Sequence, residues 1–264
     1  MNNYTYFATV YDRMMDNIPY KEWEQYILQL FYRYGVAPCS HVAELGCGTG
    51  VMTRLLSSEG FVMTGIDLSE DMLEVAKCKD TSDINYICRD MRNFELSTKQ
   101  DAIISVCDSM NYLLTEEDIT KTFSSVKRNL KSGGVFIFDL KTEYFFVNEL
   151  DGEIFAEDMG DFSYVWHNRY NREEHIHHYL LEFNVKSGLG KNRKDNASKK
   201  DTILNHKHLR LIKEHHRQRS FSAGDIKQAA LNAGFNKANV YDAFTFRKPL
   251  KSSGRIYVVM RNED

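Results

Sequence analysis

The stretch "VAELGCGTG", residues 42–50, places three glycines within five positions directly behind a short apolar run. Backbone that bare, at the end of a strand-like segment, lets a ligand approach the chain closely. A nucleoside-triphosphate loop requires G-x-x-x-x-G-K-[ST], but here Gly50 is followed by Val51 and no lysine. A dinucleotide fold uses G-x-G-x-x-G and seats a pyrophosphate on the following helix N-terminus. The spacing here is G-x-G-x-G, and Glu44 precedes it. A carboxylate at that point suits an ammonium group and repels a pyrophosphate.

Outward from this loop the chain alternates. A helix is expected from Val51 to about Gly60, and a strand over "FVMTGID" (61–67). A helix follows over 68–79, with Ser69 as its N-cap and acidic residues in its first turn, where the helix dipole favours them. "INYICRD" (84–90) and "DAIISVCD" (101–108) read as strands. Residues 115–130 form an amphipathic helix behind a Thr-x-x-Asp cap, and "GGVFIFDL" (133–140) is a strand. Short, almost wholly apolar strands alternating with helices indicate a parallel sheet covered on both faces.

After Leu140 the rhythm changes. "FSYVWHNRYN", "IHHYLLEFNV" and "HLRLIKEHHRQRSF" (208–221) read as three strands of an antiparallel sheet. The segment 187–201, rich in Gly, Ser, Asn and Lys, reads as a solvated loop. A helix over 222–235 and two closing strands complete the chain. At the start, "KEWEQYILQLFYRY" (21–34) has helical spacing and is closed by Gly35. The expected fold is α/β, a mostly parallel sheet with helices on both faces; the motif resemblance described below implies that it is Rossmann-like and seven-stranded in the order 3-2-1-4-5-7-6, with one antiparallel strand near the C-terminal edge. Its divisions are a helical lid segment (1–40), a core (41–140 and 220–264) and an inserted antiparallel sheet on the substrate side (141–219).

Three acids, Glu44, Asp67 and Asp90, fall at the ends of three successive strands, the rim where open α/β sheets bind ligands. Asp67 has two oxygens for the hydroxyls of a ribose. Asp90 with Met91 can meet an adenine, carboxylate to amine and thioether to ring. An amino acid head, a ribose and an adenine without phosphate describe S-adenosylmethionine (SAM).

"VAELGCGTG", "GIDLSEDML", "RDMRNF", "SVCDSMNYL" and "LKSGGVFIFDL" resemble, in order and spacing, the motif series of class I SAM-dependent methyltransferases over residues 40–140. The opening "YFATVYDRMM" and the inserted "EHHRQRSF" are similar to small bacterial methyltransferases akin to deoxysugar N-methyltransferases and glycine N-methyltransferase. The resemblance implies that Gly46, Cys47, Gly48, Thr49 and Gly50 line the methionine part of SAM. It implies further that Asp67 holds the ribose near Leu68 and Met72, and that Asp90 and Met91 frame the adenine. Cys107 and Asp108 would lie beside the transferring methyl, and Tyr11 or Tyr6 would fold over the cofactor as a lid.

Composition narrows the partners. With 34 basic and 37 acidic residues the net charge is −3, which offers nothing global for nucleic acid or an anionic membrane. No run approaches the roughly 18 apolar residues of a membrane helix. The cysteines (Cys39, Cys47, Cys78, Cys88, Cys107) are odd in number and lack a C-x-x-C pair, as expected for buried, reduced thiols in a cytoplasmic protein, monomeric or homodimeric. The histidines lack metal-ligand spacing, so no metal site is expected.

The acceptor is expected to be a small molecule, with nitrogen, oxygen and carbon all open as its nucleophile. His215 and His216 alternate, so they face opposite ways. His216 is the candidate base, with Tyr11 a second catalytic candidate. Asn111 and Tyr112 are candidate acceptor contacts, and Arg217 or Arg219 candidates for an anionic part of the acceptor. His177 and His178 read as sheet surface. Two other functions compete: a non-catalytic SAM-binding regulatory subunit, and an NAD-dependent dehydrogenase, against which the loop spacing and Glu44 weigh.

Overall fold

The computed structural model describes residues 3–16, 18–82, 84–186 and 209–263. The polar segment 187–201 and the side chain of Tyr6 lie outside the described residues. Two helices open the chain, α1 (Asn3–Met14) and α2 (Tyr20–Tyr34). The alternation then runs β1 (His41–Leu45), α3 (Val51–Ser58), β2 (Val62–Asp67), α4 (Glu70–Lys79), β3 (Asn85–Cys88), β4 (Gln100–Ser105), α5 (Glu116–Asn129) and β5 (Leu130–Lys141).

A short α6 (Glu143–Phe145) continues as a π turn, Phe146–Leu150, and leads into β6 (Ile154–Asp158), β7 (Phe162–Asn171), β8 (Ile176–Lys186) and β9 (Leu209–Arg219). The chain closes with α7 (Ala223–Asn232), β10 (Ala238–Asp242) and β11 (Arg255–Arg261).

The main sheet has seven strands in the order β10-β11-β5-β4-β1-β2-β3. β1, β2, β3, β4 and β5 pair in parallel, and β11 inserts antiparallel between β5 and β10. Read from the other edge, this is the expected 3-2-1-4-5-7-6 order of a Rossmann-like methyltransferase. One layer, with Phe123, Phe136 and Phe138, packs α5 and α7 on one face of the sheet. A second, with Trp23, Tyr26, Phe31 and Tyr257, packs α2 and α3 on the other. Strands buried on both faces explain the near-continuous apolar runs of β4 and β5.

β6–β7–β8–β9 form a separate antiparallel sheet with four strands rather than three. β6 is exposed at all its positions and lies at the edge, so it carries no alternation from which it could be read. The apolar end of this sheet (Phe162, Phe183, Ile212) packs on Val10 and Met14 of α1. Strand ends also differ from the sequence reading. β3 stops at Cys88 and β4 at Ser105, so Asp90, Cys107 and Asp108 stand on the connections beyond their strands. The thiols are all free, but only Cys47 is buried, and Cys39, Cys78 and Cys88 are exposed rather than buried.

Candidate active site

The glycine loop turns on left-handed backbone at Gly46 (φ 69°), Gly48 (φ 53°) and Gly50 (φ 74°). Their tasks differ. A Cβ on Gly46 would lie 2.6 Å from Ser109, so this glycine admits the turn that follows β4. A Cβ on Gly48 would meet nothing within 4 Å, so the loop's open space lies there. Asp67, at the end of β2, holds that position in place: its carboxylate accepts the N–H of Gly48 at 2.7 Å and of Ser69 at 2.8 Å. Burial raises the Asp67 pKa against the help of these two N–H groups.

Glu44, next to last in β1, is buried and accepts the hydroxyl of Thr53 from α3. Burial pushes its pKa up to about 8, and the neighbouring Asp67 adds to the effect. Two carboxylates stand at adjacent strand ends with no lysine or arginine hydrogen-bonded to either among the described residues, and the charge of Arg54 offsets only part of the effect of burial on Glu44. Met91 lies beside Gly46, Leu68 is exposed, and Met72 packs toward α1 and the inserted sheet. Asp90 is engaged by Arg92, whose Nε lies 3.0 Å from both carboxylate oxygens and whose Nη1 reaches Asp118 at 2.9 Å. That hydrogen bonding lowers the Asp90 pKa. A surface hollow beyond it is lined by Arg92, Asp118, Lys121 and Arg128; Arg92 pairs with Asp118, Lys121 with Glu117, and Arg128 donates to the Ser125 hydroxyl.

Past β4, Cys107 (φ 59°) and Asp108 (φ 56°) are consecutive non-glycine residues in left-handed conformation. Each costs on the order of 1–3 kcal/mol and persists only where the surroundings over-determine it. They do. The Asp108 N–H donates to Asp139, and the Asp108 carboxylate receives Lys141, Gln218 and Arg255, each at 3.0 Å. Burial works to raise the Asp108 pKa, but Lys141 and Arg255 outweigh it and hold the group below the usual carboxylate range. Arg255 also pairs with fully buried Asp139 and lies 4.6 Å over the Trp23 ring. Asp139 is pushed up to about 6, chiefly by burial. The sequence reading missed Lys141, Asp139 and Arg255, whose separation along the chain gives no local signal.

α1 closes over the loop. The carboxylate of Asp12 accepts the hydroxyl of Thr49 and pairs with Lys79 of α4. Tyr11, the neighbouring residue, sits where burial, then Tyr20, Cys107, Tyr112 and Asp108, drive its pKa well above the ordinary phenol value. This places the Tyr11 hydroxyl close to the connection after β4.

The inserted sheet contributes one face. Along β9, Ile212, Glu214, His216 and Gln218 turn inward, while Leu211, Lys213, His215 and Arg217 are exposed. His216 Nε2 is 3.0 Å from Glu214, and the imidazole stacks on Tyr179 of β8 at 4.7 Å with a 9° interplanar angle. Tyr112 meets His216 edge-on at 6.0 Å and shares a hydroxyl hydrogen bond with Tyr179.

The structure does not bring every predicted contact to this face. Arg217 lies on the opposite side of β9. Arg219 donates to the Leu114 carbonyl at 3.1 Å. Asn111 is fully buried with its amide spent on the backbone of Lys141 and Arg219. His177 corrects the surface reading: it is 1% exposed on the inner face, whereas His178 turns outward.

Comparisons with known proteins agree with this geometry. The "Methyltransferase domain" family matches residues 42–134. The protein named "Putative methyltransferase YqeM" from Bacillus subtilis (strain 168) is 32% identical over 96% of this chain and 95% of its own length. A Streptomyces venezuelae enzyme named dTDP-3-amino-3,4,6-trideoxy-alpha-D-glucopyranose N,N-dimethyltransferase is 34% identical over 38% of this chain and 42% of its own length. The crystal structure of an S-adenosylmethionine-dependent methyltransferase from Clostridium acetobutylicum ATCC 824 superposes with a TM-score of 0.80 at 26% identity, covering 100% of both chains. A seven-stranded Rossmann-like sheet with an acid-flanked glycine cradle and full-length relatives of this kind defines the class: the chain belongs to the SAM-dependent methyltransferases. Among the described residues no helix is long and apolar enough to cross a membrane.

Proposed function

We propose that this chain methylates a small molecule held between the glycine loop and the inner face of the inserted sheet. The observation that carries the reading is the open space at Gly48, bordered by two strand-end carboxylates to which no lysine or arginine is hydrogen-bonded among the described residues. These residues fit SAM. Gly48 would let the backbone approach the methionine part, Glu44 would receive its ammonium, and Asp67 would receive the ribose hydroxyls. An ionised carboxylate has about four lone-pair sites, so the two N–H groups on Asp67 leave acceptor capacity. Asp90 would meet the adenine amine by exchanging its bonds to Arg92, with Met91 against the ring.

When bound, SAM supplies a methyl group activated by a sulfonium charge. The protein's own residues then align the acceptor, exclude water and handle a proton. Tyr11 and Asp12 of α1 cover the loop. Asp108, fixed by Lys141, Arg255 and Gln218, sets the wall after β4. His216, whose Nε2 is turned to Glu214, is the candidate proton acceptor, and the buried Glu214 carboxylate would stabilise the resulting imidazolium. Aligning reactants in a dry site supplies much of the rate for such a displacement.

The test is Gly48→Ala. Its Cβ enters open space, so the fold should lose only the left-handed penalty of about 1–2 kcal/mol, while calorimetric binding of S-adenosylhomocysteine should fall at least about tenfold. Unchanged affinity in a folded variant would remove the cradle from the account.

A further inference from the structure

The outer face of the inserted sheet, turned away from the candidate site, brings together two histidines that stand 37 residues apart in the chain. β8 and β9 pair antiparallel, with His178 opposite Arg217 and Leu180 opposite His215. His178 and His215 are therefore diagonal neighbours on one face, a separation that aromatic side chains can span. Both reach solvent: His178 keeps 32% of its side chain exposed, and His215 is exposed. No local spacing announces this pair, because only the strand register creates it.

The geometry of the pair is specific. Nδ1 of His178 lies 3.3 Å from Nε2 of His215, with the rings inclined by 15° and their centroids 5.4 Å apart. The two nitrogens thus lie between the ring centres and face each other. Nε2 of His178 is turned the other way, 4.0 Å from the Glu174 carboxylate on the β7–β8 turn. That carboxylate favours the proton on Nε2 and leaves the Nδ1 lone pair toward His215.

Two imidazole nitrogens held about 2.0–2.1 Å from one tetrahedral metal ion stand about 3.3–3.4 Å apart. The pair already has that separation. A carboxylate behind a ligating histidine is also the outer partner that commonly orients such ligands. As a hydrogen bond, by contrast, the contact falls just beyond the usual range of about 2.7–3.2 Å.

We propose that His178 and His215 form a two-nitrogen chelate for a divalent transition-metal ion of the zinc type, with water completing the coordination. Among the described residues no cluster of three or more ligating side chains stands ready for a metal, so the affinity comes from these two rings. Arg169 of β7 and Arg217 of β9 lie across from His178 in the register, and Lys213 pairs with Glu182 on the same face. Cationic surroundings disfavour magnesium and calcium, which oxygen ligands hold by charge, and leave an ion bound through nitrogen. The chelate would tie β8 to β9 directly behind Tyr179 and His216, which pair across the same strands and stack at 4.7 Å on the inner face. It is a clasp on the back of the inserted sheet, and it does not depend on the methyl-transfer reading.

The test titrates EDTA-dialysed full-length protein with ZnCl2 in a calorimeter, with excess MgCl2 present throughout. We expect one zinc ion bound with a Kd on the order of 1–10 μM. His178→Ala and His215→Ala should each weaken it at least about tenfold, while His167→Ala, which lies on the same face beside Glu182, should leave it within about twofold. Free zinc at about a hundredfold excess over Kd should raise the wild-type Tm by about 5 °C, and the two chelate variants should lose that rise. Because both histidines reach solvent, the metal-free Tm of each variant should stay within about 2 °C of wild type.

Unchanged zinc affinity in both histidine variants overturns the proposal, and so does absence of zinc binding to the wild-type protein. The exposed thiols of Cys39, Cys78 and Cys88 are the competing ligands. Replacing all three with serine (Cys39→Ser, Cys78→Ser, Cys88→Ser) separates the sources. Zinc binding kept in that variant supports the chelate; binding lost there assigns the metal to sulfur and overturns it.

Discussion

In the proposed function, Glu44 is the residue on which cofactor chemistry and protonation meet. Buried, with the charge of Arg54 offsetting only part of that effect, it keeps its proton up to about pH 8. Pairing with an ammonium requires the carboxylate, so binding should release a proton below that value. The sign follows: affinity for SAM should strengthen as pH rises from about 6 toward 8 and level off above it. Calorimetry in buffers of different ionisation enthalpy should detect the proton, and Glu44→Gln should abolish both the release and the pH slope. A pH-independent affinity in wild-type protein would mean that Glu44 does not meet the ammonium. The same residue shows what was legible at this scale. A carboxylate before a G-x-G-x-G loop has a chemical meaning at fixed spacing, and so has Asp67. His177 was not legible, because adjacent histidines in a β run fix their opposition but not which one faces inward.

At the scale of elements, two attachments position the site. The first is α1, fastened to the glycine loop through Asp12, Thr49 and Lys79. These are partly exposed contacts and contribute about 1 kcal/mol or less to stability. Asp12→Ala should therefore leave Tm nearly unchanged and speed S-adenosylhomocysteine dissociation several-fold in stopped-flow traces. An unaltered off-rate would show that α1 is not the lid. No local pattern could reveal this latch, since its partners come from three elements far apart in sequence.

The second attachment is the alternation of β9, which sets His216 and Glu214 inward and His215 outward. With an acceptor in hand, His216→Ala should lower kcat by roughly 10²–10⁴-fold. His215→Ala should leave kcat unchanged. Equal losses in both variants would point to the sheet's integrity rather than to a proton acceptor. The period-two pattern of β9 was readable in the sequence, while exposed β6 was not, because an edge strand without a buried face carries no alternation.

For the whole molecule, the parallel sheet was legible because its central strands β1, β4 and β5 are buried on both faces and read as apolar runs between helix signals, while the strand order followed from the family resemblance. What brings Asp108, Asp139, Lys141, Gln218 and Arg255 together is the topology itself: β11 returns antiparallel beside β5, and β9 ends over the turn after β4. Such a cluster exists only once the sheet is assembled, so composition and spacing could not show it. The central claim is that the loop at 46–50 is a cradle for SAM and not for a phosphate. It is tested most directly by titrating the full-length protein with SAM, S-adenosylhomocysteine and NAD in a calorimeter. The account predicts one-to-one binding of both adenosyl compounds and no heat from NAD. NAD binding with silence from the adenosyl pair would contradict it.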